Sequence, residues 1–427
     1  MRKLGVAGLL AVTLALAACG GDGDDDAQGG AITGEITVLT QRTDLVDNVF
    51  QEYKKTFEAK YPGTTVKFEA LTDYEGEVRI RMSTKDYGDV LLIPNSVTPD
   101  QLPTFFEPLG TVEELSKKYR FVRTEQAYEG TVYGLAITGN AQGFVYNKAV
   151  WRQAGITTPP ATPEAFLAAL RAIKDRTDAI PLYTNYKDGW PLAQWENLRT
   201  GITADPDAVN KLAKDDAPWA PGKEHHVIDS LLFDAVAAGL TEPDPTTTNW
   251  ENSKNLIGTG KVATMMLGSW AVVQMRDAAT NPDDIGYLPF PVQVNGKFHS
   301  PVSGDYKNAI NVNSDNKATA RAWIDWFADE SNYAVDQGGI PPLISGGMPA
   351  TLSDFEAAGV EYVELNPAPA GEEGLDRRID EAAEIGLFDP AYRQRIVDAA
   401  RGARDETKEQ IFADLDKRWA EARTKVS

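Results

Sequence analysis

Short apolar runs alternate with amphipathic stretches along most of the chain, and each change of period marks a predicted element. Period-two runs predict strands at 35–40 (EITVLT), 65–70 (TVKFEA) and 179–184 (AIPLYT), and an unbroken apolar run predicts a buried strand at 89–93 (DVLLI). Between the first two, Val46, Val49, Phe50, Tyr53 and Phe57 recur at helical spacing, with Thr43 or Asp44 as cap and Pro62-Gly63 as stop. A second helix is predicted over 73–85. Strands alternating with helices predict a mainly parallel sheet. The stretch 130–155 then divides the chain. It alternates through Val132, Leu135 and Ile137, crosses a polar turn at 138–143, and runs on as Phe144-Val145-Tyr146 into a helix at Asn147-Lys148. A strand pair followed by a helix here reads as the passage from one lobe to another.

Downstream, Thr162-Pro163-Glu164 opens a helix with Phe166, Leu167, Leu170 and Ile173 on one face. Residues 205–260 read as helices joined by long turns. Strands are predicted at 284–292 (DIGYLPFPV) and 309–312 (AINV), and Ala320, Trp323, Ile324 and Phe327 place an amphipathic helix over 316–330. The remainder from Leu352 is mostly helical. A chain of 427 residues exceeds one core, so two domains are expected.

Ligands of parallel sheets sit beyond the carboxyl ends of the strands. That places Gln41, Arg42, Asp44, Asn95 and Ser96 at a candidate mouth, although each also serves as a cap or turn residue. Asn140 and Gln142 lie in the polar turn. Trp190 and Trp195 are interleaved with Lys187, Asp188 and Gln194, a mixture that suits a sugar, whose C–H faces stack on indoles while carboxylates and amides take its hydroxyls. The same indoles can fill a core. The formal charge of −21 argues against nucleic acid and anionic membranes as partners. His225 and His226 are adjacent and read as a surface pair, His299 is isolated, and no spacing suggests a metal or a cofactor.

Residues 1–18 carry Arg2 and Lys3 ahead of a short apolar segment, the pattern of a signal peptide rather than a spanning helix. Leu16-Ala17-Ala18-Cys19 resembles a bacterial lipobox. The resemblance implies cleavage before Cys19, the only cysteine, and lipidation of its thiol. The mature chain then carries 40 bases against 63 acids. Residues 19–34 read as a flexible, charge-extended tether.

Several weak motifs occur in an order that resembles the extracellular solute-binding proteins of ABC importers, in their sugar-binding branch. They are Val132-Tyr133-Gly134-Leu135, Val145-Tyr146-Asn147-Lys148, Ala154-Gly155-Ile156 and Pro159-Pro160. Then come Gly260-Lys261-Val262-Ala263, Gly268-Ser269-Trp270, the 284–292 run and the Gly/Pro return at 338–349. Two departures stand out: Ala136 where the family has Pro, and Asp305 where it has a small residue. Asp305 is either a ligand carboxylate or a turn residue. The resemblance implies an α/β, two-lobed periplasmic-binding-protein-like fold, each lobe a mainly parallel sheet flanked by helices. Lobe 1 would comprise 35–147 with 305–350, and lobe 2 148–304 with 351–427. It implies a sugar held in the cleft by Arg42, Asp44, Asn95, Asn140, Gln142, Trp190, Trp270, Asp305 and Tyr306, with Trp270 stacking on it. It further implies no catalysis, delivery to a membrane permease, and a monomer tethered by Cys19 at the outer face of the cytoplasmic membrane. Two alternatives stay open: a secreted glycoside hydrolase, which needs only two carboxylates, and a binding protein for another solute such as a polyamine, which an acidic surface would favour.

Overall fold

The computed structural model describes residues 30–124 and 127–426. The expected signal peptide 1–18, Cys19 and most of the tether 19–34 lie outside the described residues.

The first sheet has the strand order Thr64–Ala70, Gly34–Thr40, Val90–Leu92, Lys307–Ile310 and Leu135–Ala136. Its first three strands are parallel, Lys307–Ile310 runs against them, and Leu135–Ala136, antiparallel to Lys307–Ile310, runs with them again. Helix Val49–Lys60 packs Phe50, Tyr53 and Phe57 on this sheet, as its apolar spacing requires, together with Trp323 and Phe327 of helix Lys317–Glu330. The helix starts later than expected. Asn48, not Thr43 or Asp44, caps it, its side chain accepting the Val49 N–H. The next helix, Tyr74–Arg81, is capped by Asp73 and ends short of Lys85.

The second sheet is built around one long strand, Gly139–Asn147. It pairs antiparallel with Thr264–Gly268, with Ile285–Leu288 and with Lys297–Gly304. Glu361–Glu364, a strand in the stretch expected to be mostly helical, adds the parallel pair with Lys297–Gly304. Segment 179–184 contributes two parallel bridges rather than a strand. The expectation of a mainly parallel second sheet therefore fails: Gly139–Asn147 enters it from the first sheet while Lys297–Gly304 leads back to the first sheet, so these neighbours run in opposite directions. Alternation along the long strand sends Phe144 into one core, with Trp195, Phe166 and Ile228, and Ala141 and Val145 into the other, with Met265 and Tyr287.

The polar turn predicted at 138–143 is extended strand from Gly139 onward. Neither Gly139 nor Gly143 has positive φ. Each is glycine because a Cβ would run into a neighbour: the Phe121 ring at Gly139, and the Leu288 carbonyl and Phe355 at Gly143. The chain leaves the first sheet between Ala136 and Gly139. It returns between Gly304 and Lys307. Ile340 forms a third link, exchanging backbone hydrogen bonds with Gly139 at 2.7 and 2.8 Å.

Candidate functional site

Where the chain passes between the sheets, the Asp305 N–H donates to the Thr138 carbonyl (2.8 Å) and the Ile137 N–H to the Tyr306 carbonyl (2.8 Å). These bonds seat Asp305 and Tyr306 at the junction. On the first-sheet side the organising group is Glu75, in the first turn of helix Tyr74–Arg81. Its carboxylate accepts the Asn95 N–H (3.0 Å), the Asn95 Nδ2 (3.0 Å) and the Tyr306 hydroxyl (2.9 Å). Burial, then the bond to Glu75, pushes the Tyr306 phenol above its ordinary range. The Tyr306 ring meets Tyr74 edge-on at 5.8 Å.

Arg42 lies on the same side. Its guanidinium makes a two-pronged pair with Asp44 (2.8 and 2.6 Å) and donates to the Tyr333 hydroxyl (2.9 Å) and Gln337 Oε1 (2.8 Å). The pair holds the Asp44 carboxyl below its usual range. Asp44 itself points largely into solvent, at 61% side-chain exposure, so it serves Arg42 more than a ligand.

Asn140 Nδ2 reaches Asp305 Oδ2 at 3.5 Å, which joins the first-sheet groups to the second sheet. Asn140 and Gln142 are two residues apart on one strand and so share a face. Gln142 is paired with Gly268, two residues before Trp270. Gly268 has no room for a side chain, since a Cβ would lie 2.6 Å from Trp270 Nε1. Its N–H donates to Gln194 Oε1 (3.3 Å). Trp270 packs on Trp190 (5.9 Å) and on Trp250 (5.7 Å), and Trp190 meets Trp250 edge-on at 4.9 Å. All three indoles are part-exposed. Asp188 Oδ2 accepts the Trp250 N–H at 2.7 Å and pins the group.

Asn140 and Gln142 are each only 8% exposed, and Asn140 Oδ1 and Gln142 Oε1 have no hydrogen-bond partner. A buried amide oxygen without a donor is destabilising by about 1–3 kcal/mol. Such atoms are acceptors that a ligand's donors can satisfy, and that of Gln142 lies by Gly268, next to Trp270.

A buried ionic cluster underlies this half. Arg393 donates to Glu196 (3.0 Å) and Asp229 (3.1 Å), and Arg199 to Glu196 (3.4 Å) and Glu224 (3.0 Å). His225 Nε2 lies 3.0 Å from both Glu196 oxygens and its ring stacks on Trp219. The expectation of a surface histidine pair is thus wrong for His225, which is 1% exposed. Burial alone would raise the Glu196 carboxyl, but His225, Arg199 and Arg393 outweigh it and hold it well below the carboxylate range. The cluster anchors segment 194–199, and hence Gln194.

The structure therefore gathers Asn95, Tyr306, Asp305, Asn140, Gln142, Trp270 and Trp190 along one path, with Arg42 at its edge. Trp195 is core, at 2% exposure. Glu75 and Trp250 were missed by sequence reasoning, and Gln194 was noted only as a neighbour of the indoles. The signal for Glu75 was its place in a helix first turn following a strand. Trp250 sat unnoticed at a helix start capped by Asn249. Among the described residues no group of histidine, cysteine and carboxylate side chains has the arrangement to hold a metal ion. No helix of the described residues is long and apolar enough to cross a membrane.

Two sheets with separate cores, linked by crossing strands that carry polar and aromatic groups, define a two-lobed binding protein. The chain belongs to the bacterial extracellular solute-binding protein family, whose model matches residues 43–334. The family is one of binding proteins, not of hydrolases. The chain is 35% identical to BlMnBP2, a manno-oligosaccharide-specific solute-binding protein of Bifidobacterium animalis subsp. lactis. That structure, in complex with mannotriose, matches with a TM-score of 0.81 over 92% of this chain and 95% of that one. BlMnBP1 from the same organism, solved with mannobiose, matches with the same TM-score of 0.81. Among curated relatives, the diacetylchitobiose binding protein DasA of Streptomyces coelicolor is 30% identical over 198 residues, 43% of this chain and 44% of that protein. The match thus spans less than half of DasA. The multiple sugar-binding protein of Streptococcus mutans is 23% identical over 81% of this chain and 83% of its own.

Proposed function

We propose that this chain is the solute-capturing component of an ABC importer and that its solute is a sugar, with manno-oligosaccharides the first candidates. The observation that carries the reading is the pairing of a three-indole platform with the donor-less amide oxygens of Asn140 and Gln142. A pyranose offers both complements, a C–H face for stacking and hydroxyl donors for the amides. Arg42, Glu75, Asn95, Asp305 and Tyr306 would close on it from the other side. The relatives bound to mannobiose and mannotriose narrow the choice of sugar. The lobes in this reading follow sheet membership: lobe 1 is the sheet containing Gly34–Thr40 with its helices, and lobe 2 the sheet built on Gly139–Asn147. The lipobox-like Cys19 would tether a monomeric body outside the cytoplasmic membrane, where it would hand its solute to a permease.

A cationic solute is the rival reading. An aromatic cage for an ammonium group needs rings spread around a void. Here the centroids lie 4.9–5.9 Å apart, so the rings fill the space between themselves and present outer faces only.

The test is a thermal-shift screen of the protein, refolded to strip carried-over ligand, against mannobiose, mannotriose, other oligosaccharides, polyols and spermidine. A ligand at one hundred times its Kd adds about 2.7 kcal/mol to the native state. Stabilisation by mannotriose and not spermidine is expected. Stabilisation by spermidine alone would sink the sugar reading.

A further inference from the structure

We propose that Phe121 is the positioning residue of the inter-lobe hinge: its ring is a wedge at the crossing strands and confines the path along which the cleft closes. This rests on the solute-binding reading only in requiring a cleft that closes on a ligand. Tyr119 and Val122 belong to the core of the first lobe, yet Phe121 between them is packed into a core of the second. It reaches there with a left-handed backbone, φ 62°, a conformation unfavourable for a bulky residue and held only when its surroundings over-determine it.

Those surroundings are the three links between the lobes. The ring lies on Gly139 so closely that a Cβ there would overlap it. A Cβ on Gly304 would stand 3.0 Å from Phe121 Cβ and 2.8 Å from Ala136 Cβ. Gly139 and Gly304 are paired with each other, one on each crossing strand. The third link is tied to the preceding residue: Arg120 donates from Nη1 to the Pro341 and Leu343 carbonyls (3.0 and 2.6 Å) and from Nη2 to that of Ile344 (2.9 Å). The Phe121 N–H donates to Glu364 of the second lobe (2.9 Å). Two of the three links thus meet one side chain that is 2% exposed, and the third is tied to the residue before it. Rotating one lobe against the other must turn this ring against two glycine backbones. Because interiors are close-packed, the wedge leaves few paths open.

Phe121→Gly removes the ring while accepting the left-handed backbone, so it separates the wedge from the strain. In full-length protein carrying Cys19→Ser, spin labels at Lys55→Cys and Lys417→Cys sit on exposed helical positions, one on each lobe. Electron–electron resonance then reports the inter-lobe distance distribution, and calorimetry reports mannotriose affinity. Phe121→Gly is expected to broaden the ligand-free distribution and weaken binding about tenfold through lost pre-organisation, with Phe121→Leu restoring most of both. Gly304→Ala, whose added methyl crowds Phe121 Cβ and Ala136 Cβ, is expected to displace the distribution without broadening it. An unchanged distribution in Phe121→Gly overturns the proposal. Should Phe121→Gly fail to fold, Gly304→Ala decides it, and a wild-type distribution in that variant overturns it. If wild-type protein binds no sugar, the ligand-free distributions still judge the wedge, and the failure belongs to the sugar reading alone.

Discussion

The two sides of the candidate site are built on opposite plans. On the first-lobe side the polar groups hold one another. Glu75 takes three donors from Asn95 and Tyr306, and Arg42 is shared among Asp44, Tyr333 and Gln337. On the second-lobe side the polar groups wait: two buried amide oxygens have no donor, and three indoles keep part of their faces in solvent. A ligand hydroxyl reaching the second side fills a vacancy, whereas one reaching the first must displace a partner. Net gain is larger in the first case, since exchanging one satisfied hydrogen bond for another is nearly neutral. In the proposed reading the contrast would give initial capture to the second lobe and closure to the first.

The largest expected effect breaks the support of the waiting side. Glu196→Gln leaves Arg199 and Arg393 buried without their shared anion, a loss of about 3–5 kcal/mol. Thermal melting checks it, and the difference depends on pH. The folded-state pKa of Glu196 is depressed, so its contribution is fully present above the unfolded carboxylate value near 4.3 and fades as pH falls below it. The gap in Tm between wild type and variant should therefore hold from pH 7 to about pH 5 and narrow below about pH 4. A gap constant down to pH 3 would deny the charge a role.

Next in size is the platform. Trp270→Ala should weaken mannotriose binding by about 2 kcal/mol, roughly thirtyfold, with Trp250→Ala giving a smaller loss because Trp250 stands behind a capped helix start. Calorimetry that ranks Trp250 above Trp270 would move the stacking surface to the other indole.

Trp270 was singled out by the resemblance carried by Gly268-Ser269-Trp270, not by local pattern alone. Trp250 was not, because nothing local distinguishes an indole at a helix start from one in a core. The first three strands of the first lobe, with clean changes of period, were read to within a residue at each end, while its first two helices came out shorter than expected. Failure concentrated at 138–143. There Gly and Asn read as turn chemistry, but the glycines answer contacts with Phe121 and Phe355, distant in sequence. Glu75 and the His225 cluster escaped for the same reason: a carboxylate or imidazole shows its partners only once the chain is folded.

The amides sharpen the comparison further. Gln142→Leu removes a buried acceptor without a donor, so its melting temperature should hold or rise while mannotriose affinity falls by about 1–2 kcal/mol. A structural role for Gln142 would lower both.

The smallest effect belongs to the self-satisfied side, and it tests the comparison most directly. Glu75→Gln keeps the shape of the side chain and leaves Asn95 and Tyr306 an amide oxygen to bond, with weaker, uncharged acceptance. If the first lobe only trades partners, calorimetry should show less than about 1 kcal/mol lost in mannotriose affinity. The spin-label distances of the ligand-bound form should then shift toward the open arrangement, since closure is where these groups act. A loss equal to that of Gln142→Leu, with closure intact, would mean that Glu75 holds the sugar as a primary contact and that the two sides share the work of capture.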